Sequence, residues 1–271
     1  MSFVLQIKIF LRKLFPKKEL RLLNALRKNK LSSEKFNLTL PDGKVVEGLK
    51  PIEAYHEYKD MFINEIYAFH PQNNNPVIID GGAYIGFSVI WFLTKYPNAK
   101  VIAFECDPDI LTQFKSNLER NQLNHQVEIV PRALASSEKI LEFYKSGDDA
   151  GSLFNKTDKK ITVETCLLSQ YLDQKVDLLK LNIEGAEFEV LEECRTKLKN
   201  VSEIIIEFHS FASQEQKLDI LLKILKEEGF RYIINHFDYE SNLAVKPPFV
   251  MNNNSEYILL VYAKNLKNRC L

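Results

Sequence analysis

Four short segments carry side chains whose types and spacing could do chemistry. In "VIIDGGAYIGFS" an apolar run ends on an acid, Asp80, and breaks into Gly81, Gly82, Ala83 and Gly86. Glycines after an apolar strand permit a tight turn that a ligand can approach closely. A helix starting directly behind it adds N–H groups and a partial positive charge. Glu105 ends the next apolar run, "VIAFE", 24 positions after Gly81 (105 − 81). A carboxylate at that strand tip can accept hydrogen bonds from both hydroxyls of a ribose. Further along, "LNIEGAEFEVL" supplies Glu184 and Glu187, three apart and so able to share a helix face, and "IIIEFHS" supplies Glu207 and His209, which alternate onto one side of a strand. A neutral imidazole near physiological pH accepts a proton, so these residues form a candidate acid–base set. From it we expect His209 and Glu184 to act on an acceptor. Structural roles compete: Glu187 as a first-turn acid favoured by the helix dipole, His209 as a satisfied strand-end histidine. The available oxygen and nitrogen ligands are too few to name a metal, and none is expected.

Register decides which ligand the glycine turn suits. A dinucleotide fingerprint reads Gly-x-Gly-x-x-Gly, but the segment here reads Gly81-x-Ala83-x-x-Gly86, without the middle glycine that admits a pyrophosphate. In the other register, Asp80-x-Gly82-x-x-x-Gly86, an acid stands at the strand tip. That suits a ligand with an ammonium group and no phosphate, such as S-adenosylmethionine. Asp80, Gly82, Ala83, Gly86 and Glu105 are the cofactor-binding residues expected on this ground.

The elements that must position these residues alternate. Short, continuously apolar strands at 77–80, 100–105, 126–134, 176–185 and 202–210 alternate with helical patterns behind Gly86 and at 108–123, 186–198 and 215–229. "ILEFYKSG" and "KKITVETCLL" read as an inserted β pair, and "FRYIINHF" and "EYILLVYAK" as two closing strands, the last an antiparallel one at the edge. The pattern specifies an α/β fold, a doubly wound and mostly parallel sheet covered on both faces. Asp107, Pro108 and Asp109 look like a helix cap. Residues 75–271 form this domain, and residues 1–74 a basic helix with a hairpin and helix adaptor. "FNLTLPDGKVVEG" turns at Asp42-Gly43, and "PIEAYHEYKDMFINEIYAF" has helical character.

Composition narrows the class. Formal net charge is zero and 45% of the 271 residues are hydrophobic, which fits a globular protein and argues against a general nucleic-acid binder. Cys106, Cys166, Cys194 and Cys270 lack metal or disulfide spacing, as in a reduced cytoplasmic protein. No apolar stretch reaches the ~18 residues of a membrane-spanning helix, and the N-terminus is not a clean signal peptide. Residues 1–30 carry nine basic residues, from Lys8 to Lys30, against Glu19 alone. Two readings fit: a basic amphipathic helix in peripheral contact with the inner membrane surface, or a helix packed by its apolar face, the commoner fate.

Together, "VIIDGGAYIGFS", "VIAFECDP" and "LLKLNIEGAEFEVL", supported by "VPRALAS" and "IIIEFH", resemble the FkbM family of S-adenosylmethionine-dependent methyltransferases over roughly residues 76–210. The resemblance implies the class I methyltransferase (Rossmann-like) fold, a seven-stranded sheet ordered 3-2-1-4-5-7-6. It implies S-adenosyl-L-methionine as cofactor and methyl transfer to an oxygen of a sugar, glycan or other small acceptor. It places Ala133 near the adenine and matches Glu184, Gly185 and Glu187 to the family's Glu-Gly-x-Glu signature. Two positions depart from the family's usual residues: Tyr84 stands where Asn is frequent, and Asn182 where Asp is usual. The expected activity is therefore S-adenosylmethionine-dependent O-methylation. A non-catalytic scaffold of the same fold in glycan synthesis and an NAD-dependent oxidoreductase are the alternatives. Acceptor identity and oligomeric state have no readable code.

Overall fold

The computed structural model describes residues 35–145, 159–211, 215–236 and 257–267. The basic segment 1–30 and the 237–255 connection lie outside the described residues, as do 146–158 of the inserted β pair. Two compact units divide after Ile66.

In the first unit, β1 (Phe36–Thr39) and β2 (Val45–Leu49) pair antiparallel. Gly43, at φ 91°, makes the expected Asp42-Gly43 turn and donates its N–H to Leu40 O. Helix α1 (Pro51–Tyr58) starts on a proline, and Glu53 accepts the Lys50 N–H at 2.9 Å. The helix expected to continue to Phe69 instead passes into a π-helical turn, Lys59–Ile63, and stops with Glu65 at φ 52°. Side-chain and backbone bonds of the following segment override its helical periodicity. Tyr67 Oη donates to Glu207, and the Phe69 N–H donates to Tyr96 Oη at 2.9 Å.

The second unit is built on β3 (Val77–Gly81), β4 (Lys100–Phe104), β5 (Val127–Val130), β9 (Val176–Leu181), β10 (Val201–Ser210), β11 (Phe230–His236) and β12 (Tyr257–Asn265). They form one sheet in the order β11-β12-β10-β9-β3-β4-β5. Counted from β3, this is the expected 3-2-1-4-5-7-6. β12 runs antiparallel to both its neighbours, and the other pairings are parallel. Strands covered on both faces must be apolar throughout, and every residue of β9 is buried. Helices α2 (Phe87–Lys95), α3 (Pro108–Arg120), α4 (Glu187–Glu193) and α5 (Leu218–Glu227) connect or follow these strands. α2 is buried continuously from Phe87 to Leu93. α3 starts as expected, with Asp107 accepting the Asp109 N–H at 2.9 Å and Pro108 in first position.

The expected third strand, 126–134, divides. Its second part leaves the main sheet as β6 (Ala133–Leu134), which joins β8 (Lys159–Cys166) and β7 (Ile140–Lys145) in a three-stranded sheet. Among the described residues no helix is long and apolar enough to cross a membrane.

This topology fixes where a ligand can sit. Successive strands build outward from β3 in one direction (β4, β5) and from β9 in the other (β10, β12). The β3/β9 junction is therefore the switch point, and the carboxyl ends of the strands there open into a crevice.

Candidate active site

The turn after β3 is fastened on every side. Gly82 and Ala83 both donate their N–H to Phe104 O, at 3.2 and 2.9 Å, and Gly86 donates to Ala83 O at 2.9 Å. The Tyr84 N–H donates to Glu105 Oε2 at 3.1 Å. Each of these four amides is therefore engaged, and none of them can cradle a phosphate.

The glycines serve packing as much as access. Gly82 has φ 80°, and a Cβ there would lie 1.9 Å from the Asn182 carbonyl oxygen. The turn and the end of β9 thus meet backbone to backbone. Gly86 has φ 83°, and its Cβ would lie 2.3 Å from the Phe114 ring. Its partner is therefore α3. Ala83 and Gly86 are buried, whereas Gly82 and Tyr84 are half-buried and form the accessible part of the turn. Leu134 lies 3.0 Å from the Cβ position of Gly81, so β6, headed by half-buried Ala133, runs beside the turn.

Glu105 stands at the tip of β4. Its Oε1 accepts the Asp107 N–H at 2.8 Å, and its Oε2 the Tyr84 N–H. Burial pushes its carboxyl up to about 7, against the lowering effect of these backbone bonds. Each oxygen has a second lone pair, so the carboxylate can still accept from two hydroxyls.

Asp80 is placed differently from its neighbours in the motif. Its carboxylate is fully buried. Oδ2 accepts the Ser88 hydroxyl at 2.5 Å, and Oδ1 lies 2.9 Å from Lys180 Nζ. Lys180, with Asp177 one of two charges in "VDLLKL", is the residue that motif reading missed. The available signal was that a lysine inside a buried strand requires an acidic partner.

At the ends of β9 and β10 the expected acid–base set comes together. The loop after β9 holds Glu184 at φ 55° and Gly185 at φ 100°. Buried Glu187 accepts the Ile183 N–H at 3.0 Å and the Gly185 N–H at 3.1 Å, which closes this loop. His209 lies between two of the acids, with Nδ1 3.3 Å from Glu187 Oε1 and Nε2 3.5 Å from Glu184 Oε1. The Phe211 ring is stacked 5.8 Å away. Glu207 turns to other partners: Tyr67 Oη donates to it, and so does Asn182 Nδ2 at 3.0 Å.

The surroundings of His209 correct its expected protonation. Burial disfavours the charged ring, but the Glu187 hydrogen bond and the charges of Glu187, Glu184 and Glu207 outweigh burial and raise it to about 9. His209 is an imidazolium at neutral pH, donating toward both flanking carboxylates. Among the described residues no group of His, Cys, Asp or Glu is arranged to hold a metal ion.

Residues 80–232 match the family model described as the Methyltransferase FkbM domain. The chain is 29% identical over 181 residues to methyltransferase sdnD of Sordaria araneosa, covering 53% of this chain and 70% of the relative. It is 24% identical over 187 residues to the 31-O-demethyl-FK506 methyltransferase FkbM of Streptomyces tacrolimicus, covering 68% and 70%. A solved structure from Pyrococcus horikoshii has the same fold at TM-score 0.50 and 12% identity, covering 86% of this chain and 72% of that one.

Proposed function

The chain belongs to the FkbM methyltransferase family, and from that premise we propose that it uses S-adenosyl-L-methionine to methylate a hydroxyl of a small or glycan acceptor. The observation that carries this reading is the pairing of two strand-end sites across the switch point. One is a turn whose Gly82, Ala83, Tyr84 and Gly86 amides are engaged within the protein, beside the Glu105 carboxylate. The other is the Glu187–His209–Glu184 cluster, joined to the turn where Gly82 meets Asn182. That donor set fits the cofactor. Glu105 would accept from its ribose hydroxyls, and Gly82 and Tyr84 would form the adjacent wall. Bound S-adenosylmethionine supplies an electrophilic methyl group on a sulfonium.

The protein's share is alignment and proton removal. With His209 charged, the Glu184 carboxylate is the proton acceptor for the substrate hydroxyl. The imidazolium holds that carboxylate in place, and Glu187 holds the ring. The relative whose name specifies an O-demethyl substrate supports oxygen as the acceptor atom.

Calorimetry with S-adenosylhomocysteine and NAD tests the cofactor, with binding of the first and none of the second expected. S-adenosylhomocysteine binding should tighten as pH rises through about 7, because its hydroxyls require charged Glu105. Transfer of labelled methyl to a hydroxyl acceptor should fall by about 10²–10⁴ in Glu184→Gln while S-adenosylhomocysteine still binds. Absence of S-adenosylhomocysteine binding overturns the reading. Binding without turnover on any hydroxyl compound favours the scaffold alternative.

A further inference from the structure

The acid that ends β3 has its partners inside the protein. Asp80 and Lys180 are register partners on the neighbouring parallel strands β3 and β9, so their side chains leave the sheet on the same face. Asp80 is 0% exposed and Lys180 2%. Lys180 Nζ lies 2.9 Å from Asp80 Oδ1, donates to Gly82 O at 2.8 Å, and lies 3.4 Å from Gly81 O. The ammonium donates to two carbonyls of the cofactor turn and is ion-paired with the Asp80 carboxylate. The Tyr67 ring lies beneath it at 5.5 Å.

Asp80 carries one negative charge and no exposed surface, so a second cation reaching it would have to open the buried site and compete with Lys180 for that charge, which is unfavourable. We propose that Lys180 is a positioning residue for the cofactor turn, and that Asp80 holds Lys180 rather than the ammonium group of the cofactor. The inference rests on the S-adenosylmethionine reading above. The strand-tip acid then acts one step removed. It fixes the lysine, the lysine fixes the carbonyls of Gly81 and Gly82, and those fix the exposed face of the turn.

Two nucleosides separate the possibilities: S-adenosylhomocysteine, and 5′-methylthioadenosine, which lacks the amino-acid end. Both are titrated against wild type and the double variant Asp80→Asn/Lys180→Met, which leaves no unpaired buried charge. Titrations are run well below the melting temperature, where lost global stability alone leaves Kd unchanged. We expect both dissociation constants to rise by a similar factor, about tenfold, since a bond from a charged donor to the turn is lost. A selective loss of S-adenosylhomocysteine, with 5′-methylthioadenosine unaffected, overturns the inference by giving Asp80 the ammonium. Unchanged affinity for both overturns it by removing the positioning role. If the double variant does not melt cooperatively, Lys180→Arg, which keeps the pair of charges, carries the same comparison with the same readings. Wild type that binds neither nucleoside overturns the cofactor reading, and this inference with it.

Discussion

Tyr84 sits at φ 52°, a region that residues other than Gly, Asn and Asp enter at a cost, yet its N–H donates to Glu105 Oε2. Asparagine suits that backbone; tyrosine strains it by about 1–2 kcal/mol. Tyr84→Asn should therefore raise the melting temperature, by about 2–4 °C for a gain near 1 kcal/mol in a chain of this size. A fall would mean that the ring makes compensating contacts. Titration of the same variant with S-adenosylhomocysteine then reports whether the half-buried ring touches the cofactor. Glu184 repeats the pattern at φ 55° on the other side of the switch point. Strained non-glycine residues at both strand ends agree with a site assembled there, since such conformations persist where the surroundings enforce them.

At the scale of elements, Gly86 links the turn, α2 and α3. It caps α2 in the left-handed region, and the Phe114 ring of α3 fills the space where a side chain would begin. Gly86→Ala should destabilise the protein by at least about 1–2 kcal/mol from backbone strain, plus the cost of moving the ring. Phe114→Leu should be less harmful in the Gly86→Ala background than alone. Chemical denaturation of the four proteins measures that coupling, and strictly additive effects would place the ring outside it.

The elements themselves were legible in the sequence because a parallel sheet covered on both faces leaves continuous apolar runs with glycine and capping signals between them. The antiparallel last strand was legible from a connection without helical periodicity, but its place was not: β11 is at the edge, and β12 lies between it and β10. The pairing of charges was not. Asp80 and Lys180 are a hundred positions apart, and only the β3/β9 register makes them neighbours. Glu207 and His209 were correctly placed on one side of β10, but Tyr67 and Asn182 take the first and Glu184 and Glu187 the second, through contacts that no local spacing encodes. The early end of α1 has the same origin, a tyrosine drawn into a distant carboxylate.

For the whole molecule, formal net charge is zero at pH 7, so self-repulsion is small and individual shifted groups set how stability varies with pH. His209 has a folded value of about 9 against an ordinary 6.5. The folded state holds the extra proton between these values, so the contribution is complete below 6.5 and lost as pH rises through 9. Glu105 has a folded value of about 7 against an ordinary 4.5. Here too the folded state binds the proton more tightly, because burial penalises the carboxylate, and this contribution is lost as pH rises from 4.5 through 7. The two windows adjoin and have the same sign, opposite to that of a carboxylate whose pKa is lowered by a salt bridge. The ligand-free protein should thus lose stability steadily between pH 5 and pH 9, and melting curves across that range measure the slope. His209→Gln should flatten the part above pH 6.5 and leave the lower part in place. A melting temperature that climbs from pH 7 to pH 9, or a variant that keeps the full upper slope, would show that His209 does not hold its proton between Glu184 and Glu187.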